Sequence, residues 1–402
     1  MIRVRKALFL SGALLGFLVG SVRADVPPAS FHARKSPLIW ETRGEFAAYQ
    51  DTDAVTVFTP AVSAKVRDPL ANWSAAGSYL VDVVSAASVD IVSTASPSWQ
   101  EIRHAASLEA SYKPGTYGAA IAGSVSSEPD YLSLGAGVRG TAELARKSAT
   151  LQLGAMYARD VAGRKDTPFS VYALELDRYA TSASVELVLD RATTLTPSFD
   201  FTYESGRQEK PYRYLPLFSG DVVARVEPGA SPARVNQLRL PGRVAEHVPD
   251  ERARYALAGR LAHRFRYSTL LIFSRVYADG WGLFASTTDA RFVIELGERW
   301  SLWPHGRAHV QSGVSFWRRG YVGRADGTVL EVPTWRTGDR ELGPLWSGTL
   351  GPGLRWDFGG SDPRAFSALL ELEATYTHYP DTLYIEQRWA GFGSLQVEAR
   401  FR

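Results

Sequence analysis

The sequence predicts an all-β protein, a transmembrane antiparallel up-and-down β-barrel of about 16 strands, with 14 as the nearest alternative count. Three observations carry this. Apolar and polar side chains alternate with a period of two along many segments, which puts opposite chemistry on the two faces of a strand. Beyond the N-terminal segment no run of 18 or more apolar residues occurs, although Trp, Tyr and Phe together make up 12% of the chain, so any membrane crossing is by strands. Connections alternate between short turns and long loops, the asymmetry of the two rims of an outer-membrane barrel.

At the N-terminus Arg3, Arg5 and Lys6 precede an uncharged apolar run from Ala7 to Val19, and Val22-Arg23-Ala24 follows. This is the charged region, apolar region and small-residue cleavage site of a signal peptide, and the run is shorter than the roughly 20 residues a membrane helix needs. Residues 1–24 are therefore expected to be removed after Ala24. Residues 25–402 are then exported through the periplasm and form the barrel in the outer membrane of a Gram-negative-type bacterium. The removed segment holds four basic and no acidic residues, which takes the net charge from +3 to −1. A nucleic-acid partner has no electrostatic basis at that charge. With no cysteine, the chain is held neither by disulfides nor by a lipid on an N-terminal cysteine.

The C-terminal segment alternates most clearly. Leu395, Val397, Ala399 and Phe401 form a lipid-compatible face, and Gln396, Glu398, Arg400 and Arg402 a water-compatible one. Many outer-membrane barrels end on such a strand with a terminal aromatic; this chain resembles them, with Arg402 after Phe401 as its one departure. Upstream, Phe366, Ala368, Leu370, Leu372, Ala374 and Tyr376 oppose Ser367, Glu371, Glu373, Thr375 and Thr377. Leu195, Phe199, Phe201 and Tyr203 oppose Thr196, Ser198, Asp200, Thr202 and Glu204, while Ala308, Val310, Val314 and Phe316 oppose His305, Arg307, His309 and Gln311.

Short turns are expected at Asp68-Pro69, Lys113-Pro114-Gly115, Arg146-Lys147, Asp190-Arg191, Arg266-Tyr267, Glu298-Arg299 and residues 359–363. Residues 206–251 and 319–345, rich in Pro, Gly and Arg, form long loops on the other rim. Two strands per short turn, a first strand near residues 45–49 and a last one from about Trp389 give 16 strands.

Residues 81–97 read VDVVSAASVDIVSTASP, a doubled Asp-x-x-Ser segment with a period of eight. Together with Lys210-Pro211-Tyr212-Arg213, Val248-Pro249-Asp250-Glu251-Arg252 and Thr337-Gly338-Asp339-Arg340-Glu341-Leu342, it resembles a bacterial family of predicted outer-membrane proteins classified only as a domain of unknown function. The doubled segment is the most specific part of that resemblance, which implies the barrel fold and assigns no activity. Two readings stand for the segment itself. It folds into the lumen as a constriction lined by Asp82 and Asp90, or its aspartates and serines satisfy local turns.

On one strand Arg252, Arg254, Arg260, Arg264 and Arg266 share parity, opposite Tyr255, Leu257, Leu261 and Phe265. A guanidinium facing lipid at mid-membrane costs about 2–4 kcal/mol, so the arginines are expected to face the lumen. There they form an anion-attracting wall, or they pair with acids such as Glu371, Glu373, Asp200 or Asp289. The candidate pore-lining residues are thus Asp82, Asp90, Arg254, Arg260, Arg264, Glu371 and Glu373. Arginines at the wall favour anions, aspartates at a constriction favour cations, and changing Asp82 and Asp90 to Asn is expected to shift preference toward anions.

Three function classes follow. A barrel of this size is by default a porin-like channel for passive diffusion of small hydrophilic solutes or ions. Alternatively it is a plugged structural or docking barrel. In that reading residues 206–251, with Tyr212, Tyr214, Leu215, Leu217 and Phe218 among arginines, contact a partner or close the mouth as a lid. A membrane-embedded hydrolase is the third class, and no catalytic residue is expected: His305 and His309, four apart on a strand, lie about 13 Å from each other. No Ser-His-acid grouping or Gly-x-Ser-x-Gly turn stands out, and neither a metal nor a cofactor is expected. The expected partners are outer-membrane lipid and small hydrophilic solutes.

Overall fold

The structure, a computed structural model, describes residues 38–86, 99–326, 329–358 and 365–401. The expected signal peptide, residues 1–24, and Asp90 lie outside the described residues. No helix among those described is long and apolar enough to cross a membrane, and the chain is built instead from strands.

Sixteen strands close one antiparallel barrel. The first nine are β1 (Ile39–Asp51), β2 (Thr56–Asp68), β3 (Trp73–Ala86), β4 (Trp99–Tyr112), β5 (Tyr117–Glu128), β6 (Tyr131–Leu144), β7 (Ala149–Ala162), β8 (Leu174–Val188) and β9 (Thr193–Gly206). The other seven are β12 (Glu251–Arg264), β13 (Ser268–Asp279), β14 (Phe284–Leu296), β15 (Trp300–Gln311), β19 (Leu345–Asp357), β20 (Ala365–His378) and β21 (Gln387–Phe401). The remaining short strands lie in the long loops: β10 (Tyr214–Phe218), β11 (Arg243–Ala245), β16 (Tyr321–Val322), β17 (Arg324–Asp326) and β18 (Val329–Glu331). Closure is by β1 against β21, with Trp40 opposite Phe401 and Phe46 opposite Leu395. A closed sheet leaves no unpaired edge, the condition for strands in lipid.

The expected count of 16 is observed, and six of the seven short turns join neighbouring strands on the rim that also holds Ile39 and Phe401, while the seventh, residues 359–363, lies outside the described residues. That rim is periplasmic by the rule that short turns face the periplasm. The turn residues act as their chemistry demands: Asp68 accepts from the amides of Leu70 and Ala71, and Asp190 from that of Ala192. The two end strands run longer than the alternation alone marks, and β15 stops at Gln311. Val314 and Phe316 therefore belong to the loop beyond it, where Val314 is buried, and not to the lipid face of the strand.

Parity sorts the faces. Leu108, Ile121, Val138, Leu153, Leu257 and Leu350 are exposed on the outside. Bulky aromatics flank this band, with Trp40, Trp73, Tyr112, Trp300 and Trp356 toward the periplasmic rim and Tyr157, Tyr179, Tyr255, Trp346 and Trp389 toward the other. An apolar belt between aromatic girdles is the outer surface of an outer-membrane barrel. Four prolines sit inside the described barrel strands, and each gap in the barrel ladder adjoins one: Pro60 between β2 and β3, Pro197 between β8 and β9, Pro304 between β14 and β15, and Pro352 between β19 and β20. Proline has no N–H to give the neighbour, so pairing is interrupted on one side only.

Over the far rim the two long loops, 207–250 and 312–344, fold together into a cap. Strands β11, β10 and β16 make a small sheet, and the helix α1 (Pro232–Leu238) starts at Ser231, whose hydroxyl accepts from the Arg234 amide. Three apolar clusters hold the cap. One joins Phe218, Val226, Ala230 and Val235, another Leu215, Leu217 and Tyr321, and the third ties Val314, Trp317 and Leu342 to Trp281 and Leu283 of the β13–β14 turn.

Candidate functional site

The cap is fixed to itself and to the barrel by buried charge. The Asp339 carboxylate accepts from Lys210 Nζ at 2.7 Å and pairs with Arg213 at 2.6 Å, and Arg213 also lies 3.7 Å from Glu246. Thr337, fully buried, donates from Oγ1 to Glu246 at 2.5 Å. Next to this hub Arg340 leaves the cap and pairs with Asp53 in the β1–β2 turn, Nη1 to Oδ2 2.6 Å, where the side chains are 8% and 0% exposed. Three of the sequence segments that carry the family resemblance come together around it: Lys210 and Arg213 of the first pair with Asp339 of the third, and Val248 of the second packs in one apolar cluster with Leu342 of the third. Tyr212 reaches from the cap to Asp130, and burial pushes its hydroxyl pKa up to about 12. Glu209 is raised by burial but brought below the ordinary carboxylate range by donors, Arg207 at 3.1 Å and His247 at 3.0 Å among them.

Asp130 belongs to a group of three carboxylates at this rim, with Glu101 and Glu128, whose donor oxygens lie within 4.8 Å of one another. Each of the three also interacts with other groups, so the cluster is part of the rim's own polar network.

Below the cap the lumen wall carries the expected residues, and the structure separates them. Asp82 lies not in a loop but in strand β3, facing inward and buried. Its carboxylate accepts from Arg103 Nε at 2.7 Å and from the Thr59 hydroxyl, so a cross-strand ion pair replaces both the constriction and the local-turn readings for this residue. Arg254 pairs with Glu204 at 3.1 Å and Arg264 with Glu295 at 2.5 Å, while Arg252 is bound to Asp279 and stacks at 4.2 Å over the Trp281 ring. The acids that neutralise the β12 row are therefore inward-facing ones on β9, β13 and β14, not Glu371, Glu373 or Asp289. Glu371 pairs with Arg291 at 3.0 Å, and Glu373 lies 2.7 Å from His305 Nδ1, whose Nε2 meets Asp289 at 2.7 Å. His309 is engaged separately, with Thr287 at 2.7 Å and Gln311 at 3.3 Å.

Within strand β12, Arg260 is the one arginine of the row without an ion-pair partner among the described residues; Arg266, in the turn that follows, lies over the Tyr267 ring. Two further guanidiniums without an ion pair among the described residues face the same wall, Arg275 on the neighbouring strand β13 and Arg307 two strands further on, on β15. Sequence parity did not single them out, since each is an isolated arginine on its own strand. Arg307 is exposed although it faces inward, as is Phe273, at 37%. Inward-facing residues nearer the cap, such as Asp51, Asp160, Glu204 and Arg252, are buried.

A family model described as "Protein of unknown function (DUF3570)" matches residues 177–384, which takes in both cap loops and the strands from β8 to β20 and leaves the doubled segment outside. No curated protein matches the chain. Among solved structures it is similar to CdiB from Acinetobacter baumannii, at 8% identity and a TM-score of 0.48, with 89% of this chain and 60% of that one covered. It is also similar to a bacterial polysaccharide outer membrane secretin, at 10% identity and a TM-score of 0.44, with 91% and 99% covered. A third is the outer membrane protein opdK from Pseudomonas aeruginosa, at 5% identity and a TM-score of 0.42, with 91% and 99% covered. The chain thus spans about 60% of the length of CdiB.

Proposed function

The chain belongs to the DUF3570 family of proteins of unknown function, and from that premise we propose that it is a capped outer-membrane channel for the passive diffusion of small hydrophilic solutes. The observation that carries this reading is the water-exposed, charged inner wall at mid-height, where Arg307 and Phe273 face inward and stay exposed in a closed barrel of 16 strands. A barrel filled by its own side chains would bury them. Paired charges such as Arg43 with Glu398 keep the wall hydrophilic, which suits passage of polar solutes.

Access from outside is governed by the cap, whose buried hub and Arg340 pin leave it rigid over the mouth. The same feature favours the second reading, a plugged barrel whose cap docks a partner. The export route proposed with either reading is a signal peptide cleaved after Ala24, with lipid around the belt as the partner. Single-channel recording of the purified full chain in planar bilayers tests the choice. Discrete conductance steps in the unmodified protein support the channel, whereas silence in folded protein, persisting when Arg340→Gln loosens the cap, supports the plugged barrel.

A further inference from the structure

We propose that Arg260, Arg275 and Arg307 together form an oxyanion-binding site on the lumen wall, selecting solutes that carry a carboxylate or phosphate group. The strand registers set Arg260 and Arg275 on adjacent strands and Arg307 on the same inward face two strands beyond Arg275, with Asp289 between. Arg260 on β12 stands opposite Phe273 on β13, Phe273 opposite Asp289 on β14, and Asp289 opposite Arg307 on β15, so one inward-facing rung runs Arg260, Phe273, Asp289, Arg307. Arg275 is two residues from Phe273 on the same face, opposite Ala258 and diagonal to Arg260. Diagonal pairs of this kind lie roughly 7–8 Å apart at the backbone, within reach of long side chains.

What distinguishes these guanidiniums is that their neighbours are already committed or small. Asp289 is held by His305, Arg291 by Glu371, Arg254 by Glu204 and Arg264 by Glu295. Ala256 and Ala258 leave the adjacent wall without bulk. Asp200 on β9 interacts electrostatically with Arg275, and Asp289, opposite Arg307, with that arginine, but neither carboxylate makes an ion pair with its arginine among the described residues. Arg275 Nε is withdrawn from water and donates to no acceptor. A buried donor without an acceptor is a standing cost, and an oxyanion arriving at this rung relieves it.

The chemistry selects the ligand class. A guanidinium offers parallel N–H donors that fit two oxygens of one carboxylate or phosphate, a match a spherical halide cannot make. Phe273, exposed between the arginines, gives an apolar surface for the body attached to that head group. The inference deepens the channel reading by naming its solute class, and it rests on that reading for the solute's route through the barrel.

The test separates the two. Equilibrium dialysis of radiolabelled benzoate and of inorganic phosphate against the detergent-solubilised full chain, in a constant potassium chloride background, reads the site without any need for conduction. Saturable binding of either probe is expected, weakened about tenfold by each of Arg260→Gln, Arg275→Gln and Arg307→Gln and lost in the triple variant. Lys65→Gln, at an inward-facing cation on the far wall, leaves it unchanged. Benzoate binding that exceeds phosphate binding and falls in Phe273→Ala assigns the apolar face a share. Phosphate binding as tight as benzoate binding assigns recognition to the head group alone. A triple variant that is folded by its β-sheet circular dichroism and binds like the unmodified chain, or failure of both probes to bind, overturns the site. In bilayers the same probes are expected to reduce the chloride current through the unmodified channel and not through the triple variant. Probe binding without any conductance keeps the site and removes the channel, and conductance indifferent to both probes and to all three substitutions keeps the channel and removes the site.

Discussion

Replacing Arg340 with Gln tests how firmly the cap is held. The change takes the guanidinium from an Asp53 carboxylate whose side chain is 0% exposed, while Arg340 itself is 8% exposed, so neither charge of this pair is well screened by water. Removing one partner of a buried ion pair costs about 3–5 kcal/mol, most of it the charge left behind. The substitution also removes the guanidinium that lies 5.5 Å from the Tyr379 ring centroid. If the loss falls on cap docking, the population of undocked cap rises by roughly two to nearly four orders of magnitude, at about 1.4 kcal/mol per decade. Limited trypsin digestion in lipid nanodiscs reads this directly, because cleavage within residues 207–250 follows the open population when opening and closing are fast. The double variant Asp53→Asn with Arg340→Gln has no buried charge to strand, and it is expected to be cleaved more slowly than Arg340→Gln alone. A rise in cleavage below about threefold for Arg340→Gln, or single effects that add to within about 0.5 kcal/mol in the double variant, refutes the view that this pair pins the cap.

Three further outcomes follow from the same geometry. A Cβ placed on Gly353 would stand 2.0 Å from the Trp303 ring, so Gly353→Ala must displace the indole; a loss of about 1–3 kcal/mol in urea unfolding from vesicles is expected, with a change in Trp emission, and unaltered emission would contradict it. Asp82→Asn leaves Arg103 buried without its carboxylate and is expected to lower stability by about 3–5 kcal/mol, whereas an unchanged unfolding midpoint would show that the pair contributes nothing. Glu209 titrates below its unfolded range, so its contribution is present above the ordinary carboxylate pKa and lost as pH falls through the depressed value; cap proteolysis, with an acid-active protease, should rise there in the unmodified chain and less in Glu209→Gln.

What could be read from the sequence was what a strand encodes locally. Alternation in residues 366–376 and 395–401 gave faces and belt because a side chain's face depends only on its parity, and Asp68 and Asp190 marked turns because their carboxylates cap amides two or three residues on. The partner of each lumen charge was not readable in that way. Arg252 finds Asp279 across 27 residues and Arg264 finds Glu295 across 31, distances set by hairpin register, and the row expected to attract anions is largely neutralised by acids that no local pattern pairs with it. Of the doubled segment only its first part is described: in β3 Asp82 alternates inward between outward Val81 and Val83, and the gap Pro60 makes in the ladder opposite puts the Thr59 hydroxyl beside it, while residues 87–97 lie outside the described residues.

The long loops show the opposite relation between motif and role. Leu215, Leu217 and Phe218 read equally as a contact surface or a lid, since apolar composition does not say what will cover it, and in the fold all three are buried within the cap. The segments around Lys210 and Asp339 are 129 residues apart and stand out in the sequence because charged residues crowd into loops that have no strand pattern to explain them. Burying such charges is tolerable only when each finds its counter-charge, so their appearance in two separate loops already required that the loops meet. Asp339, shared between Lys210 and Arg213, is where they do, and the adjoining Arg340 extends the same solution to the barrel. A cap assembled by apolar contact alone could slide over the rim; one closed by a buried, directional charge pair has a single seated position, and loosening it at Arg340 should release the mouth while leaving the barrel closed.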